Sequence, residues 1–292
     1  MPKYETIILN EKSYKYLDDH FIGQKIDNPS QYVIKRLKNS ICKIDVYKCD
    51  EGYKCCFCYE DKFHIDIYRD MSVTNNKFKN TKEQIGSDET GVGDYLLPLV
   101  VVATHFKNED MEFLKKLRLT DSKKMDDDYI FSIGKKVASR FEHKKIIITN
   151  KLYEELITKG LNSKSINALC HNKVITDLQS LYKDIPSYID QFTTEKSFQK
   201  YLSEHKTKPI KFTYFYTKGE TLFPSIAVSS VLARYYLICY KNKLEKKYDL
   251  SFPFGAGPNV DAAAKKIIKK LGKKEAKNLM KISFKNTERV FK

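Results

Sequence analysis

From residue 84 onward, short runs rich in β-branched residues alternate with segments whose apolar residues recur at helical spacing, and few architectures accept that alternation. Gln84 to Thr90 and Leu96 to Phe106 read as strands, helices follow near Glu109 to Leu117 and Asp126 to Arg140, and Lys145 to Thr149 is a third strand. Tyr153 to Lys159 and Ser163 to Tyr182 read as helices, the second with Ile166, Leu169, Val174 and Leu178 on one side. Ser187 to Gln191 is a short strand and Lys211 to Tyr216 alternates. Pro224 to Lys246 is then a long helix with proline in its first turn. The result is an α/β sheet flanked by helices. It must be mixed, because the first strands lie too close together for helical crossovers.

Residues 1–73 have a different rhythm and are read as a separate small α+β domain. Thr6 to Leu9 alternates as a strand, and Glu11 to Phe21 spaces Tyr14, Leu17 and Phe21 as a helix. Pro29-Ser30 is expected to open a second helix through Val33, Ile34 and Leu37. Cys42 to Lys48, Tyr53 to Tyr59 and Phe63 to Tyr68 are expected as successive strands, with a turn at Asp50-Glu51-Gly52. Residues 74–82 are polar, aperiodic and suited to a linker, which leaves 83–292 as the larger domain.

Charge narrows the function classes. Lys and Arg number 53 against 37 Asp and Glu, a formal +16 that favours a polyanionic partner, nucleic acid foremost. Residues 1–80 hold 14 basic and 12 acidic side chains, so only +2 of the excess is theirs and +14 belongs to residues 81–292. Ala264 to Lys292 alone has eleven basic residues against Glu275 and Glu288, read as either phosphate contacts or a solvated helix face. No run is long and apolar enough for a membrane span and the first residues lack an export signal, so a cytoplasmic location and no membrane partner are expected.

Seven cysteines, five of them between Cys42 and Cys58, fit a reduced compartment. Cys55 and Cys58 have the spacing of half a zinc knuckle, but no second pair follows and His64 has no histidine partner, so buried strand cysteines are expected instead. The six histidines are scattered without a Ser or Cys at nucleophile spacing, which leaves covalent acyl chemistry unsupported.

Four acids fall at the ends of expected elements. Asp88 and Glu89 close a strand just before Gly91-Val92-Gly93, Asp190 ends Ser187 to Gln191, and Glu220 lies between a strand and the Pro224 helix. Each alone reads as a turn acid. Together, in a basic domain, they are what a two-metal phosphodiesterase needs, because hard divalent ions take carboxylate oxygens. A dinucleotide fingerprint is a poor alternative, since Leu96 stands where its third glycine would fall.

Gly86 to Tyr95, Thr120-Asp121-Ser122-Lys123-Lys124, Asn162 to Asn172, Ile189 to Phe192, and Lys218-Gly219-Glu220 with Ser225 to Tyr235 together resemble bacterial ribonuclease HIII, a type 2 ribonuclease H, in order and spacing. The resemblance covers 83–292 well and 1–72 more weakly. It implies an RNase H-like fold with an N-terminal substrate-binding domain similar to the TATA-binding-protein fold. The implied activity is metal-dependent cutting of the RNA strand of RNA/DNA hybrids by a monomer, leaving 5′-phosphate and 3′-hydroxyl ends. Asp88, Glu89, Asp190 and Glu220 would then be catalytic and would hold two Mg²⁺ or Mn²⁺ ions. Gly91, Val92, Gly93, Ser122 and Lys123 would meet substrate, although Asp121-Ser122 could equally cap the next helix.

Glutamate at the fourth acid position and the lack of Arg between the glycines favour type HIII over type HII, whose incision at single ribonucleotides in DNA is the alternative. A nucleic-acid-binding protein without catalysis is the other, and the intact acid set argues against it. Three positions depart from the family: Val92 where Thr is usual, Leu97 where Gly is usual, and Gly219 where Ala usually precedes the fourth acid.

Overall fold

The computed structural model describes residues 2–50, 52–65, 67, 68, 71, 78, 80–117, 119 and 125–292, and divides into two compact units, Met1–Asn76 and Lys77–Lys292. No helix among the described residues is long and apolar enough to cross a membrane.

In the first unit β1 (Lys3–Leu9), β2 (Gln24–Asp27), β3 (Lys35–Lys38), β4 (Cys42–Cys49) and β5 (Gly52–Tyr59) form one antiparallel sheet in the order β1-β5-β4-β3-β2. Helix α1 (Glu11–His20) starts at Asn10, whose side chain accepts the Ser13 N–H at 2.8 Å. Its Leu17 and the following Phe21 enter a core with Ile7, Leu9, Leu37, Ile44, Val46, Cys55 and Phe57.

Two expectations fail here. The segment opened by Pro29 is no helix; it leads into β3, where of Lys35 to Lys38 only Leu37 is buried, the alternation of a strand rather than a helical stripe. Phe63 to Tyr68 makes no strand among its described residues, because β5 already pairs with β1 on one edge and β4 on the other. Local turn bonds hold Phe63 and Tyr68 instead, their rings 5.9 Å apart and both against Phe57. The cysteines divide by face. Cys42 and Cys55 are buried as expected, while Cys49, Cys56 and Cys58 are half-buried. Cys55 and Cys58 stand an odd number of residues apart on one strand and so face opposite sides, which excludes a knuckle built on this pair.

In the second unit β6 (Gln84–Thr90), β7 (Leu99–Phe106), β8 (His143–Ile148), β9 (Ser187–Asp190) and β10 (Thr213–Tyr216) form a sheet in the order β10-β9-β6-β7-β8. β6, β7 and β8 are mutually antiparallel, and β9 and β10 run parallel to β6, the mixed sheet expected. The helices in chain order are α2 (Met111–Lys116), α3 (Asp127–Arg140), α4 (Asn150–Thr158), α5 (Ser163–Gln179), α6 (Glu195–Glu204), α7 (Pro224–Tyr248), α8 (Pro258–Asn278) and α9 (Asn286–Val290).

β7 is buried along its whole length and divides its side chains between two cores. Val100 and Val102 pack with residues of α3, α7 and α8, such as Ile133, Leu232 and Ile267; Leu99, Val101 and Ala103 pack with residues of α5 and α6, such as Ile166, Val174 and Phe198. Each of these side chains other than Ala103 contributes roughly 1.5–3 kcal/mol by leaving water. β7 starts at Leu99 rather than Leu96 because Pro98 has no N–H for the ladder and residues 91–98 form a turn. α6, capped by Thr194 and anchored by Phe198 and Leu202, had no counterpart in the sequence reading.

α7 crosses β6 at Gly86, where a Cβ would stand 2.3 Å from the Ile226 nitrogen. Ser225 and Ser229 use that closeness. Their hydroxyls donate to Gln84 Oε1 at 2.7 Å and to the Gly86 carbonyl at 2.9 Å. These bonds fix how far along α7 the end of β6 comes to lie.

Candidate active site

Strand register assembles the acids. Ser87 of β6 faces Ile189 of β9 in parallel, so Asp88 and Asp190, one step later on each strand, come side by side. Tyr216 of β10 lies opposite Asp190, and the chain then passes Lys218, in the left-handed region at φ 56°, into a single 3₁₀ turn, Gly219–Thr221, that buries Glu220. The Gly219 N–H donates to Asp190 Oδ1 at 2.8 Å, tying this turn to the β9 carboxylate.

Asp88 is 8% exposed and its Oδ1 accepts the Glu89 N–H at 2.8 Å. Burial, then the charges of Glu89 and Asp190, push its carboxyl well above the usual range; the Ser230 hydroxyl of α7 and the Glu89 amide offset this in part. Carboxylates that repel one another in a buried place need a cation, and an all-oxygen donor set suits a hard divalent ion. Among the described residues no three His, Cys, Asp or Glu side chains converge into a ready cage. The carboxylate oxygens engage protein donors instead: Asp88 the Glu89 amide, Asp190 the Gly219 amide, and Glu89 the ring of His171.

β6 stays regular through Thr90, so Glu89 does not share the face of Asp88. Its Oε2 meets His171 Nε2 of α5 at 3.0 Å, while His171 Nδ1 lies 2.6 Å from Ser87 Oγ and the ring stacks on Phe192 at 5.1 Å. A carboxylate only accepts, so Nε2 carries the hydrogen. His171 is fully buried, and the sequence does not single it out among the six scattered histidines. The signal was a histidine on the apolar side of a helix otherwise buried through Ile166, Val174 and Ile175.

Beside Glu89 lies a cavity of about 250 Å³ lined by Thr90, Met125, Asp127, Ile130, Ser230 and Arg234. Arg234 grips Asp127 through Nε at 2.7 Å and Nη2 at 2.9 Å and lies over the Phe254 ring at 3.8 Å.

Gly91 and Gly93 differ in kind. Gly91 has φ 85°, and a Cβ there would meet the Pro98 carbonyl oxygen at 2.0 Å, so the turn itself requires glycine. At Gly93, among the described residues, no atom beyond its own and those of its chain neighbours lies within 4 Å of where a Cβ would be, and neighbouring Val92 is 37% exposed. Ser122 and Lys123, with the rest of residues 120–124, lie outside the described residues. Of the departures, Leu97 is fully buried, and Gly219 leaves a Cβ 2.6 Å from the movable end of Ile226.

Comparison with known proteins identifies the family and the fold. The family model for ribonuclease HII matches residues 85–287. Ribonuclease HIII of Bacillus cereus (strain 03BB102) is 39% identical over 231 residues, spanning 76% of this chain and 74% of that protein; that of Bacillus anthracis is 39% identical over 217 residues, 73% and 69%. In fold, Bst-RNase HIII in complex with Mn²⁺ superposes with a TM-score of 0.70 at 24% identity over 99% of this chain and 98% of that one. Aquifex aeolicus RNase H3 gives 0.56 at 17% over 95% and 99%. The chain belongs to the ribonuclease HIII family and is a ribonuclease H, an endonuclease of the hydrolase class.

Proposed function

We propose that this enzyme cleaves the RNA strand of RNA/DNA hybrids by metal-assisted hydrolysis at Asp88, Glu89, Asp190 and Glu220, leaving 5′-phosphate and 3′-hydroxyl ends. The observation that carries the reading is the adjacency of Asp88 and Asp190 at the same level of two parallel strands, with the Glu220 turn bonded to Asp190. A bound pair of Mg²⁺ or Mn²⁺ ions supplies an acidified water, charge neutralisation at the scissile phosphate and stabilisation of the departing 3′ oxygen. Asp88 and Asp190 would hold the ions from the strands and Glu220 from the turn beside them. Glu89 contributes from the opposite face of β6, its orientation set by His171.

The Gly91-Val92-Gly93 turn supports selection of RNA. The space at Gly93, where no described residue beyond its chain neighbours comes within 4 Å of a Cβ, lets a sugar–phosphate backbone approach closely enough for main-chain amides to meet a 2′-hydroxyl. The basic residues concentrated in 81–292 neutralise backbone phosphates without reading sequence. Val92 brings no hydroxyl to this contact, which bears on where the strand is cut rather than on whether it is cut.

The test is cleavage of an end-labelled RNA/DNA hybrid with Mg²⁺ or Mn²⁺ by the wild type and Asp88→Asn, beside a duplex holding one ribonucleotide in DNA. Cutting of the hybrid, sparing of the single ribonucleotide and an inert, hybrid-binding Asp88→Asn are expected. Efficient incision at the single ribonucleotide moves the assignment to type HII specificity. Binding without cleavage under either metal overturns the catalytic reading.

A further inference from the structure

Lys281 departs from the basic stretch it belongs to. Its neighbours in sequence were read as phosphate contacts or solvated charge, yet this side chain has no exposed surface, and no other lysine or arginine among the described residues is buried. Its ammonium donates to the Gly91 carbonyl at 2.5 Å and lies over the rings of Tyr153 at 5.2 Å and Phe284 at 5.5 Å. Burial lowers its pKa to about 8, against the upward pull of Asp94 and Glu154. An apolar side chain of similar volume would fill this place at less cost in desolvation, so the charge calls for a reason other than packing.

We infer that Lys281 is a positioning residue for RNA recognition: by holding the Gly91 carbonyl inward it turns the Val92 N–H outward, as a donor for a ribose 2′-hydroxyl of the substrate strand. The inference deepens the functional reading above and rests on it. A trans peptide is planar, with its C=O and the next N–H pointing in opposite directions, so fixing one fixes the other. Among the described residues the Val92 N–H donates to no backbone carbonyl.

The rest of the turn is held from the same side. The Gly91 carbonyl also accepts the Asp94 N–H at 3.2 Å, and the Lys281 N–H donates to the Tyr95 carbonyl at 2.9 Å. Asp94 Oδ1 accepts the Gly255 N–H at 2.5 Å, and the Tyr95 N–H donates to the Gly255 carbonyl at 2.9 Å. Segments on either side of α8 thereby set the direction of a donor three residues beyond Glu89. Of these groups only the Lys281 ammonium grips the Gly91 carbonyl with a full charge, a bond stronger than one between neutral groups.

The experiment compares full-length wild type, Lys281→Met and Lys281→Gln on an all-RNA hybrid and on hybrids in which a single ribose flanking the cut is replaced by deoxyribose, with the unfolding midpoint of each variant measured alongside. For a folded Lys281→Met, preference for ribose over deoxyribose falls about tenfold through KM, kcat on the all-RNA hybrid stays within about threefold, and Lys281→Gln, which keeps a donor, recovers part of the preference. Hydrogen exchange at Val92 in the wild type needs no variant to fold. Its amide should exchange freely alone and slow when hybrid is bound without a catalytic metal. An unchanged ribose preference in a folded Lys281→Met, or a Val92 amide that hybrid does not protect, overturns the inference alone. A wild type that does not cut the hybrid overturns the functional reading and the inference together.

Discussion

At the scale of single residues, the role proposed for Asp88 opposes stability. Its carboxyl is buried and repelled by Glu89 and Asp190, so without a cation it burdens the fold. Asp88→Asn removes that charge and keeps the shape. In EDTA the variant should be more stable than the wild type by about 1–2 kcal/mol, while its cleavage rate with metal falls by roughly a thousandfold or more. Denaturant unfolding in EDTA and initial rates on a labelled hybrid check the two halves separately; a destabilised variant would place the cost elsewhere.

The cysteines make a second residue-scale prediction. Burial pushes the thiols of Cys42, Cys55 and Cys170 up to about 12. They remain protonated, hence unreactive, across pH 7 to 9.5 in the folded protein. A thiol reagent should therefore label Cys49, Cys56, Cys58 and Cys239 in the native state and the other three only on unfolding, and raising the pH to 9.5 should add no native site. The same shifts set a sign for stability. The unfolded thiols release protons near pH 9 that the folded state still holds, so their contribution is complete below about pH 9 and is lost as pH rises towards 12. Mass spectrometry after timed labelling counts the sites.

At the scale of elements, the sheet that carries the acids was legible because its strands announce themselves locally. β6 was bounded at Gln84 and Thr90 from its pattern, and the α7 helix began at the proline that opens it. β3 was not legible. Its only fully buried side chain is Leu37, and what makes it a strand is pairing with β4, a long-range fact that Val33, Ile34 and Leu37 at near-helical spacing conceal. The proposed site could be read from the sequence as four acids but not as a geometry, because the register of β6 against β9 and the His171 contact with Glu89 come from tertiary packing.

The β6–α7 crossing makes this scale testable. A methyl group at Gly86 would overlap backbone atoms of Ser225 and Ile226, which cannot yield as a side-chain end can. Gly86→Ala should destabilise the protein by about 2–4 kcal/mol and, in whatever remains folded, cut activity at least tenfold by shifting Asp88 away from Asp190. Gly219→Ala overlaps the mobile end of Ile226, meets Asp190 Oδ1 and Cα only at the ordinary contact distances of 3.4 and 3.5 Å, and should keep activity within about threefold. The pair, measured by thermal unfolding and hybrid cleavage, separates backbone overlap from side-chain crowding; equal losses would refute the distinction.

At the scale of the whole molecule, charge and chemistry belong to the same unit. Residues 81–292 hold +14 of the net charge and all four acids, whereas the first unit adds little net charge and a five-stranded sheet on which half-buried Cys56 and Cys58 stand opposite Asp45 and Lys43, members of the Arg36–Asp45 and Lys43–Asp45 ion pairs. Affinity from lysines and arginines depends on counterion release and so on salt; affinity from sheet aromatics and amides does not. We expect a chain of residues 77–292 to fold on its own core and to cut hybrids with kcat within about threefold of the full chain. If the first unit binds substrate, the KM of this shortened chain should rise about tenfold or more, because a tethered second binding unit raises the effective concentration of substrate at the site. The discriminating quantity is the slope of log affinity against log salt. If the first unit acts through neutral contacts, the truncated chain binds more weakly at every salt concentration with nearly the same slope. A slope that falls by one or more on removal of residues 1–76 would instead assign phosphate contacts to that unit, and with them a role for cations such as Lys43 and Arg36 that its small net charge conceals.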